Sequence, residues 1–407
     1  MSEQAKKAVP KLRFPEFEDA GDWEEKTLDK SLDYQQPTPY LVSDTNYSDA
    51  FETPVLTAGK TFILGYTNEQ NGIFSDNLPV IIFDDFTTAT QFVDFPFKAK
   101  SSAMKILLAK SGANIKFMYE LMQMIAYEVG THERHWISKF APILVLVPSP
   151  DEQKKIADCL SSIDELITAQ TQKITALKDH KKGLMQQLFP AEGETVPKLR
   201  FPEFKDEGDW ESKTLAKVCD VLQGYGFPEV LQGKREGKYP FCKVSDISRA
   251  FIEKGGILSD ATNYIGDDEL LKLRAKLIPV GSTVFAKIGE ALRLNRRAYV
   301  QSECLIDNNA TGLKAIKGVA VDYFVYLMSQ LIDLNEHCGG AVPSVNKSTL
   351  EEIELIVPRP EEQQKIADCL SSLDDVITTQ TQKLEALKDH KKGMMQQLFP
   401  SMVEVSE

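Results

Sequence analysis

The 407 residues include 47 Lys and Arg against 60 Asp and Glu, a formal net charge of −13, with 42% hydrophobic and 26% charged side chains. This balance describes a soluble chain with room for several cores, and it excludes a protein that holds nucleic acid by bulk positive charge, because neutralising phosphates takes clustered Lys and Arg. No apolar stretch approaches the roughly 20 residues that span a bilayer, and the start MSEQAKKAVPKL lacks the apolar middle of a signal peptide, so no membrane partner and a cytoplasmic location are expected.

In chain order, the first feature is a block that is written twice. VPKLRFPEFEDAGDWEEKTL, Val9 to Leu28, returns as VPKLRFPEFKDEGDWESKTL, Val196 to Leu215, 187 residues later. A second block, Pro148 to Pro190, returns as Pro358 to Pro400, 210 residues later, with 33 of 43 positions identical. Such self-similarity governs the fold and is read before anything else. The 23-residue difference between the offsets lies in the segments framed by the blocks, about 29–147 and 216–357. Two constant frames hold two different inserts.

The first insert carries 9 Lys and Arg against 13 Asp and Glu. Its PVLTAGKT ends like a phosphate-binding loop, but Pro54 stands where that loop needs glycine, which argues against ATP. The run Pro79–Phe83 predicts a buried strand, and Asp84 and Asp85 behind it read as a turn, since a metal-dependent nuclease needs a further carboxylate and lysine at short spacing and Phe97-Lys98-Ala99-Lys100 lacks the carboxylate. Local basic candidates are Lys60, Lys98, Lys100, Lys105, Arg134 and Lys139, with Tyr66, His135 and Trp136 as aromatic neighbours and a core role equally open to Trp136.

The block from Pro148 predicts a long helix. Ile156, Leu160, Ile163, Ile167, Gln170, Ile174, Leu177, Lys181, Leu184 and Leu188 alternate four and three apart, the spacing of a coiled-coil seam. Its second copy gives Ile366, Leu370, Leu373, Ile377, Gln380, Leu384, Leu387, Lys391, Met394 and Leu398, broken at the same two places. Pro150 and Pro360 suit a first helical turn, Ser149 with Glu152 suits a capping box, and Arg359 at the second copy's cap predicts a weaker start there. Gly183 and Gly393 are places for a kink, and Phe189-Pro190 and Phe399-Pro400 end the helices. Roughly 38 residues at 1.5 Å make a rod of about 57 Å whose stripe must be buried. Each rod packs on its own insert, on another chain, or antiparallel on the other copy about a pseudo-twofold, with Gln170 and Gln380 near the dyad.

The second insert nearly cancels in charge, 17 against 18. Gly224-Tyr225-Gly226 precedes Phe227-Pro228, so no helix opens there to hold a dinucleotide phosphate and a turn or a close approach to a ligand is expected. GSTVFAKI reads as a strand and VDYFVYLMSQLIDLN as a helix. Lys287, Arg293, Arg296 and Arg297 cluster against Glu290 alone, with Asn295, Asn308 and Asn309 close by; Arg and Asn are the side chains that pair with guanine and adenine edges. Arg297→Ala, if Arg297 reads a base, costs about 1–3 kcal/mol and relaxes one position.

Cys159, Cys219, Cys242, Cys304, Cys338 and Cys369 show no zinc-ligand spacing and are expected to be reduced and mostly buried. His132, His135, His180, His337 and His390 form no nucleophile or metal arrangement, and no amino-methyltransferase or nucleophile-elbow motif occurs. No catalytic residue and no metal site are expected.

The opening VPKLRFP, the helix start EQ-x-KIA-x-x-L and the ending KDHKKG-x-MQQLF, each present twice, resemble the specificity (S) subunit of Type I restriction–modification systems over essentially the whole chain. The resemblance implies a mixed α/β (α+β) fold: recognition domains at 1–147 and 191–357, conserved helices at 148–190 and 358–400 pairing as an antiparallel coiled coil, and a tail at 401–407. It implies a non-catalytic ruler for double-stranded DNA whose domains read two different half-sites while its helices set the gap. It also implies two modification (M) subunits with S-adenosylmethionine, and restriction (R) subunits with ATP and Mg, as partners. Within that pattern the expected DNA contacts of the first insert are Thr57, Lys60, Tyr66, Asp85, Thr87, Lys98, Lys100, Ser101, Arg134 and Lys139. Those of the second are Gln223, Tyr225, Lys287, Arg293, Asn295, Arg296, Arg297, Asn308, Asn309, Ser344 and Lys347. A freestanding nuclease or methyltransferase, and a scaffolding coiled coil, are the competing readings; the missing motifs speak against the first and the divergent inserts against the second.

Overall fold

A computed structural model describes residues 9–57, 59, 61–127 and 134–400. They divide into two compact units, one built from the residues up to Thr171 together with those from Lys383 onward, the other from Gln172–Gln382. The unit boundary cuts both long helices.

The first unit runs β1 (Glu24–Thr27), the single turn α1 (Leu28–Ser31), β2 (Leu32–Gln35), β3 (Thr53–Leu56), β4 (Ile63–Thr67), β5 (Val80–Asp84), β6 (Thr90–Val93), β7 (Lys98–Ala99), β8 (Met104–Ala109), α2 (Ile115–Gln123), a π-helical turn at Trp136–Phe140, β9 (Leu144–Val147) and the start of α3 (Pro150–Leu188). An antiparallel sheet has the order β2-β8-β5-β6, a smaller one the order β4-β3-β7 with β3 parallel to β7, and β1 pairs with β9. Central β5 is apolar from Val80 to Phe83 and ends in buried Asp84, because both its faces are covered. Ile81 and Phe83 point to a core shared with α2 and α3, whereas Val80 and Ile82 point to one shared with Leu56 and Phe97.

The second unit runs β10 (Glu211–Thr214), β11 (Cys219–Gln223), β12 (Tyr239–Cys242), α4 (Val244–Glu253), β13 (Ile257–Leu258), β14 (Asn263–Ile265), α5 (Asp267–Leu273), β15 (Thr283–Ala286), α6 (Glu290–Arg293), β16 (Ala298–Val300), β17 (Leu305–Ile306), β18 (Ala310–Ala315), α7 (Asp322–Ser329), α8 (Lys347–Glu352), β19 (Glu354–Val357) and, in part, α9 (Pro360–Leu398). Its sheets are β11-β18-β15-β16-β13, β14-β12-β17 and β10-β19, with β12 parallel to β17. Strand for strand this is the order of the first unit, with α4, β13 and α5 added between β12 and β15. Two inserts with little visible sequence likeness therefore share one topology.

The constant blocks supply the same fastenings twice. Arg13 grips Glu152 through two bonds of 2.8 and 2.7 Å, and Arg200 grips Glu362 through two of 2.8 Å. Gln153 donates to the Pro148 carbonyl and accepts from Asn114 N, both at 2.9 Å; Gln363 does the same with the Pro358 carbonyl and Val321 N at 2.9 and 3.1 Å. The capping box is therefore half formed: Ser149 Oγ accepts from Glu152 N at 3.4 Å, but the Glu152 carboxylate serves Arg13 and Trp23 Nε1 instead of its own cap. Arg359 offers only its carbonyl to Glu362 N and Gln363 N. The shared Arg–Glu and Gln ties hold both starts.

Each long helix is 39 residues, starts on its proline, passes Gly183 or Gly393 unbroken and stops before Phe-Pro. Every seam position is buried or half-buried. In the first unit Ile156, Leu160 and Ile163 share a core with Met395, Leu398 and Phe399, and in the second Ile366 and Leu370 share one with Leu188 and Phe189. The start of one helix thus meets the end of the other, an antiparallel pairing, and the same stripe covers the adjoining insert. The seam-breaking lysines are paired: Lys391 lies 2.7 Å from Asp164 and 2.9 Å from Glu120, and its repeat mate Lys181 lies 2.6 Å from Asp374. Lys116 at 2.7 Å completes the first group, and Tyr323 donates to Asp374 in the second. Burial raises the Asp164 carboxyl, but hydrogen bonds from Lys116 and Lys391 outweigh it and hold the group below the usual carboxylate range. Gln170, the other break, is buried, and Gln380 is half-buried.

The cysteines are all free, but only Cys219, Cys242 and Cys304 are buried, so the expectation of mostly buried thiols holds for half of them. Burial pushes the Cys219 thiol up to about 12. A maleimide at about pH 8 is expected to modify Cys159, Cys338 and Cys369 and spare the buried three, as read by mass spectrometry; rapid labelling of Cys219 contradicts the packing.

Candidate nucleic-acid interface

In the second unit four sequence-distant segments meet at one end of the larger sheet. Tyr225 N donates to the Ile306 carbonyl at 2.9 Å, Lys287 N to the Asn309 carbonyl at 2.8 Å, Gly289 N to the Pro343 carbonyl at 2.8 Å, and Val345 N to the Lys287 carbonyl at 3.0 Å. The contact at Gly224 is so close that a Cβ there would lie 1.8 Å from the Asp307 carbonyl oxygen. The glycine serves an approach of backbone to backbone, where a ligand contact had been expected. Tyr225 is likewise engaged, its hydroxyl accepting from Lys276 N at 3.0 Å.

This convergence presents Gln223, Arg293, Asn308, Asn309, Ser344 and Lys347 to solvent, with Lys287 and Arg296 half-buried. Arg293 and Lys347 touch Glu290 and Glu351 at 3.4 Å, exposed pairs of little strength that an incoming phosphate can replace. Arg296 lies 6.0 Å from the Phe251 ring.

Arg297 and Asn295 are corrections to the expected set. The Arg297 side chain is 1% exposed, stacks 4.7 Å from the Phe285 ring, and donates to Asn295 Oδ1 and the Ile332 carbonyl, both at 3.1 Å. Burial pushes its guanidinium down to about 10, which leaves it protonated at neutral pH. Asn295 spends its amide on Ile332 and its carbonyl on Arg297 and Leu334 N. Neither has a free edge for a base. The basic run was legible, but which of its members faces inward depends on the turn at Asn295, whose φ is 54°.

The first unit repeats the convergence. Lys100 N donates to the Leu56 carbonyl at 2.9 Å, Asp85 N to the Ala103 carbonyl at 3.0 Å, and His135 N to the Asp85 carbonyl at 2.8 Å. Thr87, Ser101, Arg134 and Lys139 are exposed, while Thr57, Tyr66 and Lys100 are half-buried, Lys100 lying 5.5 Å from the Tyr47 ring. Thr57 Oγ1 donates to the Thr61 carbonyl at 2.6 Å. Lys60 lies outside the described residues.

Asp85, Lys98 and Lys105 are the corrections here, all three buried. Lys98 is held by the Asn71 carbonyl at 2.6 Å and Glu69 at 2.8 Å; Asp85 and Lys105 pair with each other at 3.0 Å, and Asp85 Oδ1 accepts from Trp136 N at 2.9 Å. Trp136 and His135 are buried as well, Trp136 against Phe83. Sequence reasoning also missed Gln36, whose Oε1 lies 3.3 Å from Lys105 Nζ. A lysine within the apolar strand MKILLA is the signal that would have marked Lys105 as interior. Among the described residues no group of His, Cys, Asp and Glu is fit to hold a metal ion, and no helix is long and apolar enough to cross a membrane.

The fold is that of a specificity subunit. The chain resembles the crystal structure of the Type I restriction–modification S subunit from M. genitalium with a TM-score of 0.64 at 16% identity, covering 97% of this chain and 100% of that one. The family model described as Type I restriction modification DNA specificity domain matches residues 207–389. The Type I restriction enzyme EcoR124I/EcoR124II specificity subunit of Escherichia coli is 31% identical over 366 residues, 86% of each chain. The Type I restriction enzyme MjaVIII specificity subunit of Methanocaldococcus jannaschii is 26% identical over 282 residues, 65% of this chain and 63% of its own. The chain belongs to the specificity subunits of Type I restriction–modification systems, a non-catalytic family whose role is DNA sequence recognition.

Proposed function

We propose that the chain reads a bipartite, asymmetric double-stranded DNA target, one half-site through the loops of each insert, with residues 1–147 and 191–357 acting as target-recognition domains. The observation that carries this is one topology built twice with different exposed side chains on its converging loops: Thr87, Ser101, Arg134 and Lys139 in one, Gln223, Arg293, Asn308, Asn309, Ser344 and Lys347 in the other. Equal scaffolds with unequal reading edges suit two unlike half-sites.

The conserved helices dock two copies of a modification subunit, which bring S-adenosylmethionine, and restriction subunits join through them with ATP and Mg in the cytoplasm. Near-identity of the repeated helix blocks supports a single partner used twice. The charge of −13 fits a division of labour in which partners supply much of the grip on phosphates.

The test is selection from randomised DNA by the complex reconstituted with modification subunits. Two different half-sites separated by a fixed unread gap are expected; a contiguous or palindromic site would overturn the proposal. In the same complex, replacing Asn308 and Asn309 together by Ala is expected to cost about 1–3 kcal/mol on target and to relax one half-site only. Equal weakening on random DNA would reduce them to phosphate contacts.

A further inference from the structure

We infer that one buried cation beneath the loops of each unit is a positioning residue for sequence discrimination: Arg297 in the second unit and Lys105 in the first. This rests on the DNA-reading function proposed above and goes beyond it, because neither side chain can itself reach DNA; each is 1% exposed.

Arg297 ties together two stretches of chain. Its Nη2 holds Asn295 Oδ1 and the Ile332 carbonyl at 3.1 Å, Asn295 Nδ2 holds the same carbonyl at 3.1 Å, and Asn295 Oδ1 also takes Leu334 N at 3.2 Å. Asn335 Nδ2 extends the seam to the Arg293 carbonyl at 3.3 Å. The path of the chain that carries exposed Arg293 is thereby set from below. Phe285, under the guanidinium, lies on the strand that leads directly into Lys287.

Lys105 does the corresponding work at the end of β2 and the turn after β5. It lies 3.0 Å from Asp85 and 3.3 Å from Gln36 Oε1, and Asp85 in turn fixes Trp136 N by its side chain and Ala103 and His135 by its main chain. The exposed neighbours Thr87, Ser101 and Arg134 all flank residues in this knot.

Burying a cation is costly, and an apolar residue of similar volume often serves stability equally well. Arg297 even leaves its Nε without a hydrogen-bond partner. What the charged groups supply that an apolar side chain does not is direction: bonds to specific atoms of specific loops. Exposed Arg293 and Lys347 can meet phosphate without such guidance, so general DNA affinity should survive its loss.

The experiment uses the complex with modification subunits and measures binding to target, to targets altered in one half-site, and to random DNA, for Arg297→Met and Lys105→Met. Arg297→Met is expected to lose about tenfold or more of its discrimination at one half-site, to change random-DNA binding less than about twofold, and to be partly rescued as Arg297→Lys. Lys105→Met should do the same at the other half-site. Loss spread over both half-sites, or equal loss on target and random DNA, overturns the inference. If Arg297→Met does not fold, Asn295→Gly, which keeps the left-handed backbone and removes only the side-chain ties, should show the same confined loss, and unchanged discrimination would overturn it. A wild-type complex without half-site discrimination contradicts the DNA-reading function instead.

Discussion

Replacing Phe399 by Ala is expected to destabilise the first unit by about 3–5 kcal/mol, although this residue stands at the far end of the chain from most of that unit's core. Phe399 is buried, with its ring 5.3 Å from Phe117 and 6.3 Å from Trp23. Main chain joins there too, Leu12 N donating to the Gln397 carbonyl at 2.9 Å. Its repeat mate Phe189 lies 5.3 Å from Phe324 and 6.1 Å from Trp210, and Leu199 N donates to the Gln187 carbonyl at 2.9 Å. Phe189→Ala should therefore weaken the second unit by a similar amount. Native-state hydrogen exchange separates the two: protection should fall in residues of one unit per variant, and a Phe399→Ala chain with unaltered protection in α2 would show that the helix end is dispensable.

Glu362→Ala is expected to cost about 3–5 kcal/mol in the second unit, because it removes the buried charge partner of a nearly buried guanidinium and leaves it the Glu207 and Gly208 carbonyls. The Arg200 and Glu362 side chains are 9% and 1% exposed and joined by two parallel bonds. That hydrogen bonding raises the Arg200 pKa above its ordinary value, against the opposing effect of burial. The double replacement Arg200→Met with Glu362→Leu should be less damaging than Glu362→Ala alone, since it removes both charges and keeps apolar volume. A double variant as unstable as the sum of the singles, measured by denaturant unfolding, would refute this account of the pair.

Much of the frame was legible in the sequence because repetition acts as a second reading of the same constraints. A stripe recurring at four and three residues, broken at Lys181 and again at Lys391, identified the helices and their equivalence. The partners of those lysines, Asp164 and Asp374, were present in the blocks, but a pairing between helices is a tertiary fact that spacing along one helix does not contain. The shared strand order of the inserts was hidden for a similar reason. β5 and β15 keep the same alternation of faces with different side chains, and α4, β13 and α5 shift the numbering between them.

At the candidate interface the sequence indicated which segments to watch and misjudged several of the side chains within them. Loop ends such as Asn308 and Asn309 are exposed as a turn between short strands requires. Arg297, Lys98, Lys105 and Asp85 are not, because buried charge is invisible to composition when its partners lie in other segments: Ile332 for Arg297, Glu69 for Lys98, and Lys105 and Asp85 for each other. The long aliphatic stems of Lys and Arg fit a core once the charged head is met.

Under the proposed function this chain dictates which DNA sequence its modification partners methylate. A single-molecule methylome of the native strain with and without the gene tests it most directly. One bipartite methylated-adenine motif, with two unlike halves and a fixed gap, is expected to disappear on deletion and return on complementation. A methylome that keeps every motif in a strain where the modification subunit is expressed would contradict it.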